Sequence, residues 1–121
     1  MCTTKKQSER LLALGIKPNT ADMSRFMGNN SLQPYTAWEV SVMEYVTPAW
    51  SLGALITLMP DTIIIEDRSC WRLAVLSIGV YYHALRGKKI IRSYESDYIF
   101  ENCINMIAWL VKNGHIETEN K

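Results

Sequence analysis

The stretch TIIIEDRSCWRLAVLSIGVYYHAL, residues 62–85, decides the fold class of this chain, because its residue types and rhythm are those of β-strands. Residues 62–66 are rich in β-branched side chains, and residues 71–75 alternate between the two sides of a strand. Turn residues separate these segments from each other and from a third strand at 80–85. Connections this short cannot cross over a sheet, so the strands must be antiparallel.

The next residues along the chain predict a fourth strand and a long helix. RGKK, residues 86–89, is a turn, and IIRSY, residues 90–94, is a possible strand. Ser96 can cap a helix that Gly114 ends in the left-handed conformation, with Lys112 near the negative end of its dipole. One face of this helix is apolar and predicts that it covers the sheet; its residues are Ile99, Phe100, Cys103, Ile104, Met106, Ile107, Leu110 and Val111.

Before the strands, PAWSLGALITLMP (48–60) is the most apolar stretch of the chain. Ser51 is a good N-cap, and Trp50 and Leu55 stand at the positions of a hydrophobic staple. Only about two turns fit between the Ser51 cap and Pro60, which is too short for a membrane span. We therefore expect a core helix, with Trp50 as the floor of a ligand pocket as the alternative.

The N-terminal third contains further helix signals. Thr4 and Gln7 match a capping box, and Gly15 followed by Pro18 ends the helix that begins at residue 5. Thr20 can cap a second helical piece over residues 21–27. Residues 35–46 fit both a strand and a helix, and the alternation favours extended structure.

These elements predict an α+β fold. An antiparallel sheet of three to four strands is covered on one face by helices, and residues 1–34 form an N-terminal helical extension packed on it. With 121 residues, the chain is shorter than the ~150 residues at which a second domain is expected, so we predict a single domain over residues 1–121.

Composition and charge exclude several functional classes. A net charge of +1, from 13 basic and 12 acidic residues, gives no global attraction to nucleic acid or anionic lipid. No stretch approaches the ~18 apolar residues of a membrane span, and the N-terminus has no signal-peptide apolar region. The three cysteines, odd in number and without C-x-x-C spacing, favour a reducing cytoplasmic setting.

Three segments of the chain resemble a known group of proteins. TTKKQSERLLALGIKPNTADM (3–23), PAWSLGALITLMP (48–60) and ENCINMIAWLVKNGHI (101–116), in that order, resemble small uncharacterised proteins from gut anaerobic bacteria and their prophages or conjugative elements. The segment YYHALRGKKIIR (81–92) does not match the group. The resemblance implies an origin in a mobile element or phage and carries over no catalytic residue.

No arrangement of residues demands catalysis, a metal or a cofactor. Cys103 with His83 or His115 could form a nucleophile and base, but Cys103 lies on the apolar face of its helix, where burial deactivates a thiol. Glu66 and Asp67 are adjacent, so in a strand they point to opposite faces. The histidines lack metal-site spacing, and the glycines lack phosphate-binding spacing.

Two binding hypotheses remain. The chain has a surplus of aromatic residues, which anchor interfaces, and the protein-interface candidates are Trp38, Tyr45, Tyr81 and Tyr82. We therefore expect a non-enzymatic, self-associating accessory protein that binds a protein partner. The alternative is a nucleic-acid-binding module that uses the basic turn, Arg86, Lys88, Lys89 and Arg92, beside tyrosines.

Overall fold

The structure is a computed structural model that describes residues 2–26, 32–34, 46–65, 69–85 and 89–118. The chain divides into two compact units, residues 1–55 with 117–121 and residues 56–116. The described residues form α-helices and two antiparallel sheets, so the predicted α+β class is confirmed. The single domain over 1–121 stays a prediction.

Unit 1 begins with helix α1, Lys5–Ala13. The predicted capping box is present: the Gln7 amide donates to Thr4 Oγ1 at 3.2 Å, and the Thr4 amide donates to Gln7 Oε1 at 2.9 Å. Thr3, just before the helix, and Ser8, within it, are both buried, and their hydroxyls share a hydrogen bond of 2.8 Å. The local sequence therefore fixes where the chain enters its first helix.

A 3₁₀ helix, Pro18–Thr20, and a three-stranded sheet come next in the chain. The sheet has the order β2-β1-β3, with β1 Met23–Phe26, β2 Leu32–Pro34 and β3 Val46–Ala49, and both pairings are antiparallel.

The prediction of a helix over residues 21–27 is wrong. In the predicted helical extension over 1–34, helical structure therefore ends at Thr20. The Thr20 hydroxyl donates to the Lys17 carbonyl at 2.7 Å, within its own turn. Ala21 is extended, and β1 pairs with a strand on each side. Pairing with strands remote in sequence overrides the local helix signal. Of the ambiguous stretch 35–46, only Val46 lies within the described residues, as the first residue of β3.

Helix α2 spans Leu52–Leu58. The predicted N-cap is confirmed, because the Ala54 amide donates to Ser51 Oγ at 3.2 Å. Asp22 supports the cap: it accepts from the Ser51 amide at 2.8 Å and from the Ser51 hydroxyl. Trp50 and Leu55, the predicted staple residues, are both fully buried.

Unit 2 contains a four-stranded antiparallel sheet in the order β4-β5-β6-β7. The strands are β4 Thr62–Ile64, β5 Cys70–Leu76, β6 Gly79–Ala84 and β7 Ile90–Glu95. Each pairs with its neighbour in sequence, as the alternation predicts. The register between β6 and β7 shifts once, between Tyr82 and His83.

Helix α3, Ile99–Lys112, packs on β6 and β7. Its buried residues are Asn102, Cys103, Ile104, Met106, Ile107 and Leu110, and all but Asn102 belong to the predicted apolar face.

The start of α3 differs from the prediction. The N-cap is Tyr98, and the side chain of Ser96, two residues earlier, does not cap the helix. Instead, Ser96 Oγ accepts from the Tyr98 amide at 3.1 Å and donates to Asn102 Oδ1 at 2.8 Å. Asn102 Nδ2 in turn donates to the Ser96 carbonyl at 3.0 Å. The buried Asn102 is therefore fully engaged in fixing the chain that enters α3.

Both α1 and α3 end at a glycine, as predicted. Gly15 (φ 90°) and Gly114 (φ 76°) occupy the left-handed region that other residues rarely adopt. The amide of the next residue donates to a carbonyl five positions back, at 3.1 Å after Gly15 and 2.8 Å after Gly114. This is the Schellman arrangement, which stops each helix at a defined residue.

Candidate functional site

The register of the four-stranded sheet assigns its residues to two faces. Ile63, Val80 and Tyr82 are almost fully buried and lie on the face that α3 covers. The opposite face, which we call the open face, carries Thr62, Ile64, Arg72, Leu76, Tyr81, His83 and Glu95. Each of these seven side chains is exposed or half-buried. The open face therefore presents both apolar and polar side chains at the surface of unit 2.

An apolar patch lies at one end of the open face, which we call the Tyr81 patch, formed by Leu76, Gly79 and Tyr81. Leu76 pairs directly with Gly79, and Leu76 is 56% exposed. The Tyr81 ring lies over Gly79, since a methyl group at Gly79 would be 2.7 Å from Tyr81 Cζ. The missing side chain of Gly79 therefore leaves the space that the Tyr81 ring occupies, as aromatic residues do over glycines in sheets.

The four predicted interface residues fall into three groups. Tyr81 lies on the open face, and its role in an interface stays a prediction. Tyr82 must be corrected to a core residue: it is fully buried, and its hydroxyl donates to the Pro60 carbonyl at 2.7 Å. Its ring also approaches Trp109 of α3, with 6.4 Å between ring centroids. Trp38 and Tyr45 lie outside the described residues.

The basic turn is only partly described, because Arg86 and Lys88 lie outside the described residues. Lys89 and Arg92 are exposed. Arg92 Nε donates to the Tyr94 hydroxyl at 3.0 Å, and the Arg92 guanidinium carbon lies 4.9 Å from the centre of the Tyr94 ring. Arg92 therefore stacks on the Tyr94 ring, which a nucleic-acid base would need for its own stacking contact.

The register also separates the basic residues from the tyrosine of the open face. Arg92 pairs with Tyr82 and Tyr94 with Val80, so both lie on the face that α3 covers, at its outer edge. Tyr81 lies on the other face. The structure therefore does not bring Arg92 and Tyr81 together into one surface of interleaved basic and aromatic side chains.

Cys103, the candidate nucleophile, is fully buried within α3. Burial raises the pKa of its thiol to about 11, which keeps the thiol protonated and unreactive at neutral pH. His83 is half-buried on the open face, where Nδ1 lies 3.0 Å from the Ala84 carbonyl oxygen. His115 stacks on Trp109 at 5.7 Å.

A shallow groove of about 470 Å³ lies where the end of α3 approaches β4. It is lined by Ile64, Ile65, Asn113, Gly114 and His115. Over the described ranges, no group of three or more His, Cys, Asp or Glu residues could hold a metal ion. None of the helices in the described part of the chain has the length and apolar character needed to cross a membrane.

Comparison with known proteins adds no assignment. No protein-family model, no curated protein and no solved structure matches this chain. A functional assignment therefore depends on the geometry of the sheet.

Sequence reasoning missed two residues that shape these surfaces. Gly79 reads as a turn residue in the sequence, and its role under the Tyr81 ring depends on the pairing with β5. Asn102 lies within the apolar run of α3, where its polar side chain gives no sign that it binds Ser96. The one available signal in the sequence is the spacing of six residues between Ser96 and Asn102, and this spacing does not by itself predict a contact.

Proposed function

We propose that this chain is a non-enzymatic accessory protein that binds a protein partner through the open face of its four-stranded sheet and also associates with itself. The observation that carries the proposal is the Tyr81 patch, in which the Tyr81 ring and the exposed Leu76 flank a glycine. Large aromatic side chains on a rigid sheet supply apolar contact area at low entropic cost, which is what interface centres use.

Two further features weigh against the alternatives of catalysis and nucleic-acid binding. The thiol of Cys103, the one nucleophile that the sequence singles out, is buried and has a raised pKa. The nucleic-acid alternative is less well supported, because Arg92 already contacts Tyr94 on the face opposite to Tyr81. An origin in a mobile element or prophage is part of the proposal and rests on the three segments that resemble such proteins.

The test is affinity recovery of the tagged full chain from its own host, comparing wild type with Leu76→Glu and Tyr81→Ala. The matched control is Ile78→Glu, since Ile78 and Leu76 are both 56% exposed but Ile78 lies in the turn before β6. We expect wild type and Ile78→Glu to retain the same partner protein, and both patch variants to lose at least ~10-fold of it, as expected for residues at an interface centre.

Two outcomes would contradict the proposal. In one, the wild-type eluate contains nucleic acid and no partner protein, which would favour the basic turn. In the other, Leu76→Glu and Tyr81→Ala retain the partner as well as Ile78→Glu does. Thermal unfolding of all four proteins checks that the substitutions leave the fold intact.

A further inference from the structure

We propose that two copies of this chain pair through β7, edge to edge and antiparallel, so that their sheets become continuous across a two-fold axis. This inference deepens the self-association in the proposed function and rests on it. It names the second copy as the partner of β7 and a specific register of pairing.

The free edge of β7 presents two residues with unused backbone groups. β7 is the last strand of the sheet, and in the described part of the chain it pairs with β6 alone. The Ser96 amide donates to the Ile78 carbonyl at 3.0 Å, which fixes the phase of the ladder. Because bonded and non-bonded pairs alternate in antiparallel strands, the N–H and C=O groups of Ser93 and Glu95 point away from β6.

The regular part of this edge is short. The register shift between Tyr82 and His83 disturbs the N-terminal half of β7, so the regular ladder with β6 runs over residues 92–96. Within it, Glu95 is exposed and Ser93 is half-buried. A second strand that pairs with Ser93 and Glu95 satisfies their outward backbone groups.

The charges along this edge favour an antiparallel copy of itself. Lys89 lies just before β7 and Asp97 just after it, and both are exposed. Antiparallel pairing places the basic end of one copy beside the acidic end of the other, whereas parallel pairing places like charges together. The complementary charges therefore select a second copy in antiparallel orientation.

The outward groups also select the register. Placing Ser93 opposite Glu95 of the second copy pairs outward groups only, and the two-fold axis repeats this pair. Tyr94 then lies opposite its own copy in the closely spaced non-bonded pair. Pairing Glu95 with itself is disfavoured, because it places two carboxylates on the axis.

The same features limit the assembly to a dimer. Pairing uses the regular edge of β7, and the opposite edge strand, β4, has three residues. Lys89 and the irregular half of β7 discourage further extension, as edge charges and bulges do in other sheets. Because the regular edge is limited to residues 92–96, the interface is small. We therefore expect a dimer with a dissociation constant in the range of ~10–100 μM.

The test is sedimentation equilibrium of the full chain at ~1 to 300 μM, a range chosen to span the expected dissociation constant. Wild type is expected to rise from 13.9 kDa toward twice that mass. Ser93→Pro removes an outward amide that β6 does not use, so it should weaken the dimer at least ~10-fold while the sheet remains. Ser93→Ala keeps the amide and should behave as wild type.

A charge exchange separates edge pairing from a general loss of folding. Lys89→Glu and Asp97→Lys each place like charges at the ends of the paired strands and should weaken the dimer. The double variant Lys89→Glu/Asp97→Lys restores opposite charges and should recover dimerisation to within ~3-fold of wild type, because the exchange preserves the interaction.

The outcomes are distinguishable from those of the partner-capture experiment. A wild type that stays at 13.9 kDa at the highest concentration, or a Ser93→Pro variant that dimerises like wild type, overturns the β7 pairing. A failure of the double variant to recover overturns the antiparallel arrangement. If Ser93→Pro is monomeric and still captures the partner through the Tyr81 patch, both proposals are supported as separate surfaces.

Discussion

Trp50→Ala should lower the free energy of unfolding by about 3–5 kcal/mol, the cost of emptying the space of a large buried aromatic side chain. Trp50 is fully buried, and its indole Nε1 donates to Thr20 Oγ1 at 3.0 Å. Its backbone amide donates to Thr3 Oγ1 at 3.0 Å, and its carbonyl accepts from the Thr3 amide at 2.8 Å. The side chain therefore ties the residue before the α2 cap to Thr20, and the Trp50 backbone ties it to Thr3.

Urea unfolding followed by far-ultraviolet circular dichroism measures this effect. Trp50→Phe is the matched control, because it keeps an aromatic ring and removes the hydrogen bond to Thr20, so the expected loss is about 1–2 kcal/mol. A loss below about 1 kcal/mol for Trp50→Ala would contradict the core assignment, since it would indicate a site that tolerates a cavity. It would instead favour Trp50 as the wall of a ligand pocket.

Tyr82→Ala should lower the free energy of unfolding by a similar amount, about 3–5 kcal/mol. Tyr82 is fully buried between the sheet and α3, and it contacts Trp109. Tyr81→Ala is the matched control: Tyr81 is half-buried on the open face, so its loss should be about 1 kcal/mol or less. Equal losses for the two variants in chemical denaturation would contradict the assignment of the two faces.

The hydroxyl of Tyr82 adds a dependence on pH. Burial, with a smaller contribution from the charge of Asp61, raises the pKa of Tyr82 above its ordinary value. The unfolded chain therefore loses its proton at a lower pH than the folded chain, so stability is unaffected below about pH 10 and falls as the pH rises above it. Tyr82→Phe should reduce this alkaline loss, and it should cost about 0.5–1.5 kcal/mol at neutral pH through the lost bond to Pro60.

Much of the fold can be predicted from local sequence signals. The capping box at Thr4, the N-cap at Ser51 and the glycine at 114 each fix a helix end through contacts within a few residues. The alternation over residues 62–85 predicts the hairpins for the same reason, because neighbouring strands are joined by short turns.

The error over residues 21–27 arises because distant residues decide the structure. Residues 23–26 become a strand because β2 and β3 pair on either side of them, and no local signal reports that pairing. Trp71 and Trp109 are only partly buried, while Trp50 is fully buried. The number of aromatic residues can be read from the sequence, but the burial of each side chain depends on which face of the sheet a helix covers.

The candidate site shows the same division. Alternation predicts that Tyr81 and Tyr82 lie on opposite faces of β6, and the structure agrees. It does not predict which face α3 covers, so both residues are equal interface candidates in the sequence. The position of Arg92 on the covered face, away from Tyr81, depends on the register of β7, which the irregularity near His83 shifts.

The functional account requires that Tyr81 contacts a partner and that the adjacent Tyr82 packs against α3. Covalent modification of tyrosines with tetranitromethane, read by peptide mass spectrometry on the native chain with and without its captured partner, tests this most directly. We expect Tyr81 to be modified in the free chain and protected in the complex, with Tyr82 unmodified in both. Modification of Tyr82 in the free chain, or of Tyr81 at the same rate in the complex, would contradict the account.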